Sequence, residues 1–260
     1  MTRVAIIGAG NVATHLAIAL SGKVAISQIY SRNRCNAELL VSRIGVDIPV
    51  TDSISDIDPS ADVYIVSVKD DAVRSLVEQL PENGRALWVH TSGSAPMDVF
   101  KCRMTRYGVL YPLQTFSKDV DVDVREVPFF IEGCNPEVES EIATIARLLS
   151  PEVKVADSRQ RKRIHAAAVF ACNFTNHLWA IAGKLLEDGG YGFDVLMPLL
   201  RVTLDKAEKV SPAAGQTGPA RRGDCGTMQG HMELLDEDSA GIYRMLSRSI
   251  MRQYEISGDI

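Results

Sequence analysis

Three small residues near the start of the chain have the spacing of a pyrophosphate-binding turn. Gly8, Gly10 and Ala13 follow the pattern G-x-G-x-x-A directly after the apolar run 4–7. The first glycine allows a tight turn, the second lets the backbone approach a phosphate, and the alanine keeps the next helix close to the strand. The free N–H groups at the start of that helix attract anions. The pattern therefore predicts a dinucleotide-binding turn, formed by Gly8, Ala9, Gly10, Asn11 and Val12.

The residues after the second predicted strand indicate which dinucleotide fits. Strand 25–30 is followed by Ser31, Arg32 and Asn33. It lacks the Asp or Glu, about 20 residues after the glycines, that would bind a ribose 2′-hydroxyl. A hydroxyl and a guanidinium can instead bind a 2′-phosphate, and Arg34 could assist. We therefore predict NADP(H) as the cofactor, with an ordinary surface role for Arg32 as the alternative.

Two further polar loops stand at the ends of predicted strands. Ser67, Val68 and Lys69 close strand 63–68, and Thr91, Ser92 and Gly93 follow strand 86–90. Ligands of parallel sheets bind outside the carboxyl ends of the strands. Small side chains and free N–H groups at 92–94 would suit a small anionic substrate or the nicotinamide ribose. Helix capping is the alternative, which we favour for Asp70 and Asp71 and leave open for residues 90–94.

The order of predicted elements divides the chain into two domains. Short apolar strands alternate with helical patterns up to residue 156, which predicts a mostly parallel sheet with crossover helices. After residue 156 only helices are predicted, at 160–187, 195–210, 224–235 and 240–255. We therefore predict a Rossmann-like α/β domain, 1–156, that binds NADP. An all-helical domain, 157–260, would form the other wall of a cleft. The remaining predicted strands are 109–110, 129–131 and 153–155, and the remaining helices are 12–20, 36–44, 71–80 and 136–149.

Composition restricts the class of protein further. The chain has 260 residues, of which 46% are hydrophobic, so it can bury a substantial core. No apolar run reaches the roughly 20 residues of a membrane helix. Because the sequence starts directly on a predicted strand, we expect no signal peptide. The five cysteines form no C-x-x-C pair, so neither a disulfide framework nor a metal site is predicted. We expect a cytoplasmic protein with no membrane partner.

Charge argues against a nucleic-acid partner. The net charge is −5, with 15 basic and 20 acidic residues up to position 156 and 13 of each from position 157 onward. Neither half is basic enough to bind a polyanion. One basic cluster is predicted to be the solvated start of a helix, with an anion-binding groove as the alternative. This cluster consists of Arg159, Arg161, Lys162 and Arg163.

The long predicted helix carries polar side chains on an apolar background. His165, Cys172 and Asn176 are spaced to share one face of an α-helix, and Asn173 is close by. Polar groups buried there need partners. The partner is either a substrate or ordinary backbone and helix neighbours, and helix geometry alone favours the ordinary neighbours.

Four segments together resemble a known family. They are His90-Thr-Ser-Gly-Ser94, Tyr111-Pro-Leu-Gln-Thr-Phe116, His165-Ala-Ala-Ala-Val-Phe-Ala-Cys-Asn173 and Thr217-Gly-Pro-Ala-Arg-Arg-Gly-Asp224. The chain resembles, over nearly its whole length, proteins that join a Rossmann-like domain to a helical domain of unknown function, the 2520 family. This family is similar in layout to pyrroline-5-carboxylate reductases and other 6-phosphogluconate-dehydrogenase-like enzymes. Some members resemble ketopantoate reductases.

The resemblance implies an NADP-dependent reductase of a small 2-oxo acid or imine, with a homodimer formed through the helical domain. Carbonyl reduction needs a proton donor for the developing alkoxide, which we assign to His165 because imidazole titrates near neutrality. Asn173 would orient the carbonyl and Arg222 would bind the carboxylate. Asp224 would orient Arg222 or simply cap a helix, and His231 is a second candidate acid.

The chain also departs from the related dehydrogenases. They commonly carry a lysine as the acid on the first helix of the second domain, whereas here Lys162 lies almost one turn before His165. Tyr111 stands where a histidine is expected. Two alternatives to oxo-acid reduction therefore stay open. One is a pyrroline-5-carboxylate-type imine reductase, and the other is a dinucleotide-binding scaffold without catalysis.

Overall fold

The computed structural model describes residues 1–81 and 83–260, which form two compact units. The first unit is Met1–Cys172 and the second is Asn173–Ile260. The domain boundary predicted between residues 156 and 157 remains a prediction.

The first unit is built on one eight-stranded sheet. Its strands are β1 (Arg3–Ile7), β2 (Ala25–Tyr30), β3 (Val50–Thr51), β4 (Val63–Val66), β5 (Leu87–His90), β6 (Tyr107–Pro112), β7 (Phe129–Gly133) and β8 (Val153–Val155). The strand order is β3-β2-β1-β4-β5-β6-β7-β8, and β6 and β7 form the antiparallel pair in an otherwise parallel sheet. The predicted mostly parallel Rossmann-like sheet is confirmed. The sequence did not predict β3, because two residues carry no periodic signal.

Helices cover both faces of this sheet. They are α1 (Asn11–Leu20), α2 (Arg34–Ile44), α3 (Val73–Val77) and α4 (Pro136–Leu149), and a fifth helix, α5 (Ser158–Ala168), follows β8. Side chains alternate along a strand, so Val4 and Ile6 join the core under α1, α2 and α4, whereas Ala5 and Ile7 join the core under α3. Strand β1 is therefore apolar from Val4 to Ile7, and the loop at its carboxyl end lies between β2 and β4, where the strand order reverses.

The prediction of one uninterrupted α-helix over residues 160–187 is wrong in the middle of that range. Helix α5 is followed by a π-helical segment, Val169–Phe174, before helix α6 (Thr175–Asp188) begins. A π-helix closes i→i+5 hydrogen bonds and holds more residues per turn than an α-helix. The α-helical spacing that grouped His165 with Asn176 therefore does not apply.

The second unit is helical, as predicted. After α6 come α7 (Met197–Lys209), α8 (Pro219–Arg222), α9 (Cys225–Met232) and α10 (Glu237–Gln253). Its small core is centred on Ala220, Met228 and Met251. Helices α6 and α7 bury no residue, although both are rich in apolar side chains.

No helix in the described part of the chain is long and apolar enough to cross a membrane. Residues 1–81 and 83–260 also contain no group of His, Cys, Asp and Glu side chains arranged to hold a metal ion.

Candidate active site

Backbone crowding requires a glycine at position 8. Gly8 has a φ of 127°, and a Cβ added there would lie 2.1 Å from the carbonyl oxygen of Ser67. The turn after β1 and the loop after β4 are also tied together, because the Ser67 N–H donates to the Ile7 carbonyl over 2.8 Å. Gly8 therefore shapes the floor of the site by close packing.

Gly10 stands in the opposite situation. Its φ of −81° suits any residue, and a Cβ added there would meet nothing within 4 Å. Helix α1 begins directly after it, with no side-chain cap and no acidic residue in the first turn. Open space in front of an uncapped helix start suits a phosphate group, which the positive end of the helix attracts.

A cleft of about 640 Å³ opens beside this turn. Most of the predicted cofactor residues line it: Gly8, Ala9, Gly10, Asn11, Val12, Ser31, Arg32, Asn33, Ser67, Val68, Lys69 and Thr91. Ser92 and Gly93 do not. The sequence did not predict the remaining lining residues, among them Asn36, Ile54, Asp70, Gln79 and Lys118. Asp70 directly follows the predicted residue Lys69, whereas the others come from helix faces and distant loops that no local motif marks.

Arg32 is the available cation at the β2 end of the cleft. It is exposed, and no hydrogen bond or ion pair engages it in the described part of the chain. Its neighbours are occupied. Asn33 accepts from the Cys35 N–H and caps α2, and Arg34 pairs with Glu38 at 2.9 Å. The end of β2 therefore presents one free guanidinium where a 2′-phosphate is predicted.

The loops after β4 and β5 are joined by side-chain hydrogen bonds. The Thr91 hydroxyl donates to the Ser67 hydroxyl over 3.1 Å, and the Ser94 hydroxyl donates to the Asp70 carboxylate. The capping role predicted for Asp70 is therefore wrong, since no side chain caps the turn Asp70–Ala72. Its carboxylate instead faces the neighbouring loop.

Residues 90–95 use their own polar groups internally. The Ser92 hydroxyl accepts from the N–H groups of Ser94 and Ala95, at 3.2 and 2.8 Å. The Ser92 N–H donates to Nδ1 of His90 over 3.2 Å. The N–H groups of Ser92 and Ser94, which were expected to be free for a ligand, are therefore engaged within the loop.

The predicted acid His165 is paired with Tyr111. The Tyr111 hydroxyl and His165 Nδ1 are 2.9 Å apart, and the rings meet edge to face. Both rings press on Gly93, where a Cβ would lie 2.6 Å from His165 and 2.9 Å from Tyr111. Burial, with a smaller contribution from the Asp70 carboxylate, raises the pKa of Tyr111 to about 12. Tyr111 therefore stays a neutral phenol at physiological pH.

The prediction that all four residues of the basic cluster are exposed to solvent is wrong for Arg161. Arg159, Lys162 and Arg163 are exposed, but Arg161 is buried and forms an ion pair with Glu132 of β7. It also donates to the Ala95 carbonyl over 2.6 Å. The sequence of this cluster does not indicate which of its basic side chains is buried. Because Arg161 lies one helical turn before His165, this ion pair fixes the helix that carries His165.

The other predicted catalytic residues belong to the second unit. Asn173 is exposed in the π-helical segment, and Arg222 is exposed at the end of α8. Asp224 caps α9 by accepting from the Thr227 N–H over 3.1 Å, and His231 Nδ1 lies 2.9 Å from the Tyr243 hydroxyl. The catalytic roles of Asn173, Arg222 and Asp224 remain predictions.

Two family models match the chain. The family described as NADP oxidoreductase, coenzyme F420-dependent, matches residues 3–90, and the domain of unknown function DUF2520 matches residues 127–250. The comparison with curated proteins gives no match.

Solved structures give the wider relationship. The chain is 43% identical to a “putative NADP oxidoreductase” of Bacteroides fragilis, with 96% of this chain and 98% of that one covered and a TM-score of 0.89. An imine reductase of a Pseudomonas species shares 16% identity, covering 98% of this chain and 95% of that one, with a TM-score of 0.69. A reductive aminase of Aspergillus terreus, in complex with NADPH and ethyl-5-oxohexanoate, shares 14% identity, covering 99% of this chain and 89% of that one, with a TM-score of 0.64. The last two likenesses concern the fold alone.

The chain therefore belongs to the NADP oxidoreductase family in which a dinucleotide-binding domain precedes a DUF2520 domain. The resemblance to the 2520 family, which was inferred from the sequence, is confirmed. NADP(H) as the cofactor of this class of protein is also confirmed. Membership of an oxidoreductase family also weakens the alternative of a scaffold without catalysis.

Proposed function

We propose that this protein is an NADPH-dependent reductase of a small 2-oxo acid, such as a ketopantoate-like compound. The observation that carries the proposal is the Tyr111–His165 pair, which supplies a proton donor of the kind that carbonyl reduction needs. Bound NADPH would supply the hydride.

The cofactor would occupy the cleft at the carboxyl ends of β1, β2 and β4. The start of α1 would hold the pyrophosphate over Gly10, and Arg32 would bind the 2′-phosphate. Arg32 is the fitting residue because it has no other partner among the described residues. The narrow contact between Gly8 and Ser67 closes the floor of the cleft and leaves the space in front of α1 to the ligand.

Hydrogen bonding with Tyr111 prepares His165 to act as the acid. Since the pKa of Tyr111 is raised to about 12, its hydroxyl keeps its proton and can donate to Nδ1 of a neutral His165. The hydrogen of the neutral imidazole is then on Nε2. When His165 is protonated, Nδ1 donates to the Tyr111 oxygen and Nε2 still carries a hydrogen. The imidazolium is the form that gives its Nε2 proton to an alkoxide, and it is left as a neutral ring whose Nδ1–H still donates to the Tyr111 oxygen.

Steady-state kinetics on a panel of 2-oxo acids tests this proposal. His165→Asn should lower kcat roughly 100-fold while leaving NADPH affinity unchanged, because the loss of a general acid affects the chemical step. Tyr111→Phe should lower kcat less and should change the pH profile of kcat, since the ring then loses its oriented partner. Equal kcat values for wild type and His165→Asn on a turned-over oxo acid would exclude His165 as the acid.

A second candidate function, imine reduction, is favoured by Asp70. Its carboxylate has no cationic partner in the described part of the chain, and it acts on Tyr111 through its charge. A negative charge near the pair favours a cationic iminium over an anionic oxo acid. An iminium takes up hydride without forming an alkoxide, so His165→Asn would then cost little activity. Asp70→Asn would raise KM for imines.

A further inference from the structure

The antiparallel strand places one long loop beside the cofactor cleft. Strand β6 ends at Pro112, which pairs with Phe129 at the start of β7. The β6–β7 loop, residues 113–128, therefore begins and ends at the carboxyl edge of β6. This is the edge that β1 and β4 share with it, because the intervening pairs are parallel. A parallel β7 would have required a crossover that leaves this edge.

Three side chains from α1 and α2 hold three consecutive carbonyls of the β6–β7 loop. Asn11 donates to the carbonyl of residue 116 over 2.9 Å, and Nε2 of His15 to the carbonyl of residue 117 over 2.8 Å. Arg43 donates to the carbonyl of residue 118 over 2.7 Å. The His15 ring also stacks on Phe116 with centroids 4.7 Å apart. The loop is thus fastened to the two helices that border the phosphate turn.

This fastening brings Lys118 to the cleft. Lys118 lines the cleft together with Gly10, Val12 and Arg32, although it lies far from them in sequence. It is half-buried, and it forms no ion pair in residues 1–81 and 83–260. The nearby acid Asp123 pairs with Arg125 instead. An ammonium without a counter-ion beside an anion-binding turn is an available phosphate ligand.

We propose that Lys118 binds a phosphate group of the dinucleotide, and that Asn11, His15 and Arg43 are positioning residues that hold it there. This inference rests on the proposed binding of NADP(H) in the cleft. It adds to the βαβ motif a phosphate ligand from a distant loop. In free protein the hydrogen bonds to residues 116–118 keep the loop in place, so that less ordering is required when the ligand binds.

Binding titrations with NADPH, NADH and adenosine 2′,5′-bisphosphate test the role of Lys118. Lys118→Ala should weaken NADPH binding roughly ten-fold. The matched control is Lys101→Ala, an exposed lysine of the same unit that does not line the cleft. A loss for NADPH and the bisphosphate but not for NADH supports contact with the 2′-phosphate. A loss for NADPH and NADH alike supports contact with the pyrophosphate.

A Lys118→Ala protein that binds all three ligands as wild type does would overturn the inference. Failure of the proposed function would look different, because wild-type protein would then bind neither dinucleotide.

The positioning role is tested by combining variants. Arg43→Met should weaken NADPH binding and speed hydrogen exchange of residues 116–118 in free protein, and Arg43→Lys should restore part of both. In the Lys118→Ala background, Arg43→Met should weaken binding little further, because the side chain it positions is gone. An equal loss in both backgrounds would indicate general destabilisation and contradict the positioning role.

Discussion

Single residues in this protein show how one motif serves two purposes. The glycines of G-x-G-x-x-A are indistinguishable in the sequence, yet the structure separates them. Gly8 is required by backbone crowding against Ser67, whereas Gly10 faces open space in an unstrained conformation. Packing explains the first glycine, whereas we propose that a bound phosphate explains the second.

Substitution of each glycine by alanine tests this distinction. Gly8→Ala should destabilise the protein by more than about 2 kcal/mol, because both its positive φ and its closeness to Ser67 exclude a Cβ. Gly10→Ala should lower the unfolding free energy by no more than about 1 kcal/mol, the cost of a poorer N-cap, but should abolish tight NADPH binding. Urea unfolding and a binding titration measure the two effects. Normal NADPH affinity in Gly10→Ala would contradict the phosphate site.

His90 predicts a pH dependence of stability. It is fully buried, and burial lowers its pKa to about 3 from the ordinary 6.5. The unfolded chain therefore binds a proton that the folded protein does not. This contribution to stability is fully present above pH 6.5 and is lost as the pH falls toward 3, by up to about 1.4 kcal/mol per pH unit.

Thermal unfolding between pH 7 and pH 4 measures this effect. His90→Asn retains an acceptor for the Ser92 N–H but has no proton to gain, so its melting temperature should fall less steeply with acidity. Parallel curves for wild type and His90→Asn would show that His90 does not contribute to acid sensitivity.

At the scale of elements, the buried ion pair between Arg161 and Glu132 anchors α5 to the sheet. Arg161→Met should cost about 3 kcal/mol of stability, since it leaves a largely buried carboxylate without its cationic partner. Adding Glu132→Leu should recover part of that loss. Arg159→Met is the control, because Arg159 is exposed on the same helix. Urea unfolding that gives equal values for Arg161→Met and Arg159→Met would refute the anchoring role.

The sequence predicted the bounds of those helices and strands that are determined by residues within the segment itself. Helix α4 and strands β2 and β8 have the predicted bounds, because apolar periodicity and Asn135 as a cap define them within the segment itself. Pairing direction is not a local property, so the antiparallel β7 could not be predicted, and neither could the loop it places beside the cleft. The π-helical segment and the inward turn of Arg161 likewise depend on tertiary packing.

The site shows the same division. The glycine turn and Arg32, which were chosen from the sequence because phosphate binding requires particular residue types at short spacing, both line the cleft. Their contact with a dinucleotide remains a prediction. The contact of Tyr111 with His165 joins residues that are distant in the sequence, and Tyr111 stood out there only as a departure from the expected histidine. Lys118 gave no signal, since a lone lysine in a loop is an ordinary surface residue.

At the scale of the whole molecule, the second unit exposes an unusual amount of apolar surface. Leu199 and Leu204 of α7 are 62% and 64% exposed, and neither α6 nor α7 buries a residue. Extended apolar surfaces of this kind mark interaction sites. We therefore expect these helices to pack against a second copy of the chain. The cytoplasmic location expected from the sequence remains a prediction.

Light scattering coupled to size-exclusion chromatography tests the homodimer. The molar mass measured for wild-type protein should be twice that of one chain. The double variant Leu199→Glu/Leu204→Glu should have the molar mass of a monomer or should aggregate. Lys206→Glu on the same helix is the control for added negative charge. A monomeric wild-type protein would contradict the predicted dimer.

Above all, we propose that the cleft of the first unit binds NADP(H) through Arg32 and the start of α1. A fluorescence titration of wild type and Arg32→Ala with NADPH and NADH would measure this binding. We predict that wild type prefers NADPH and that the preference disappears in Arg32→Ala, whereas NADH binding changes little. Binding of neither dinucleotide by wild type, or an unchanged preference in Arg32→Ala, would contradict the account.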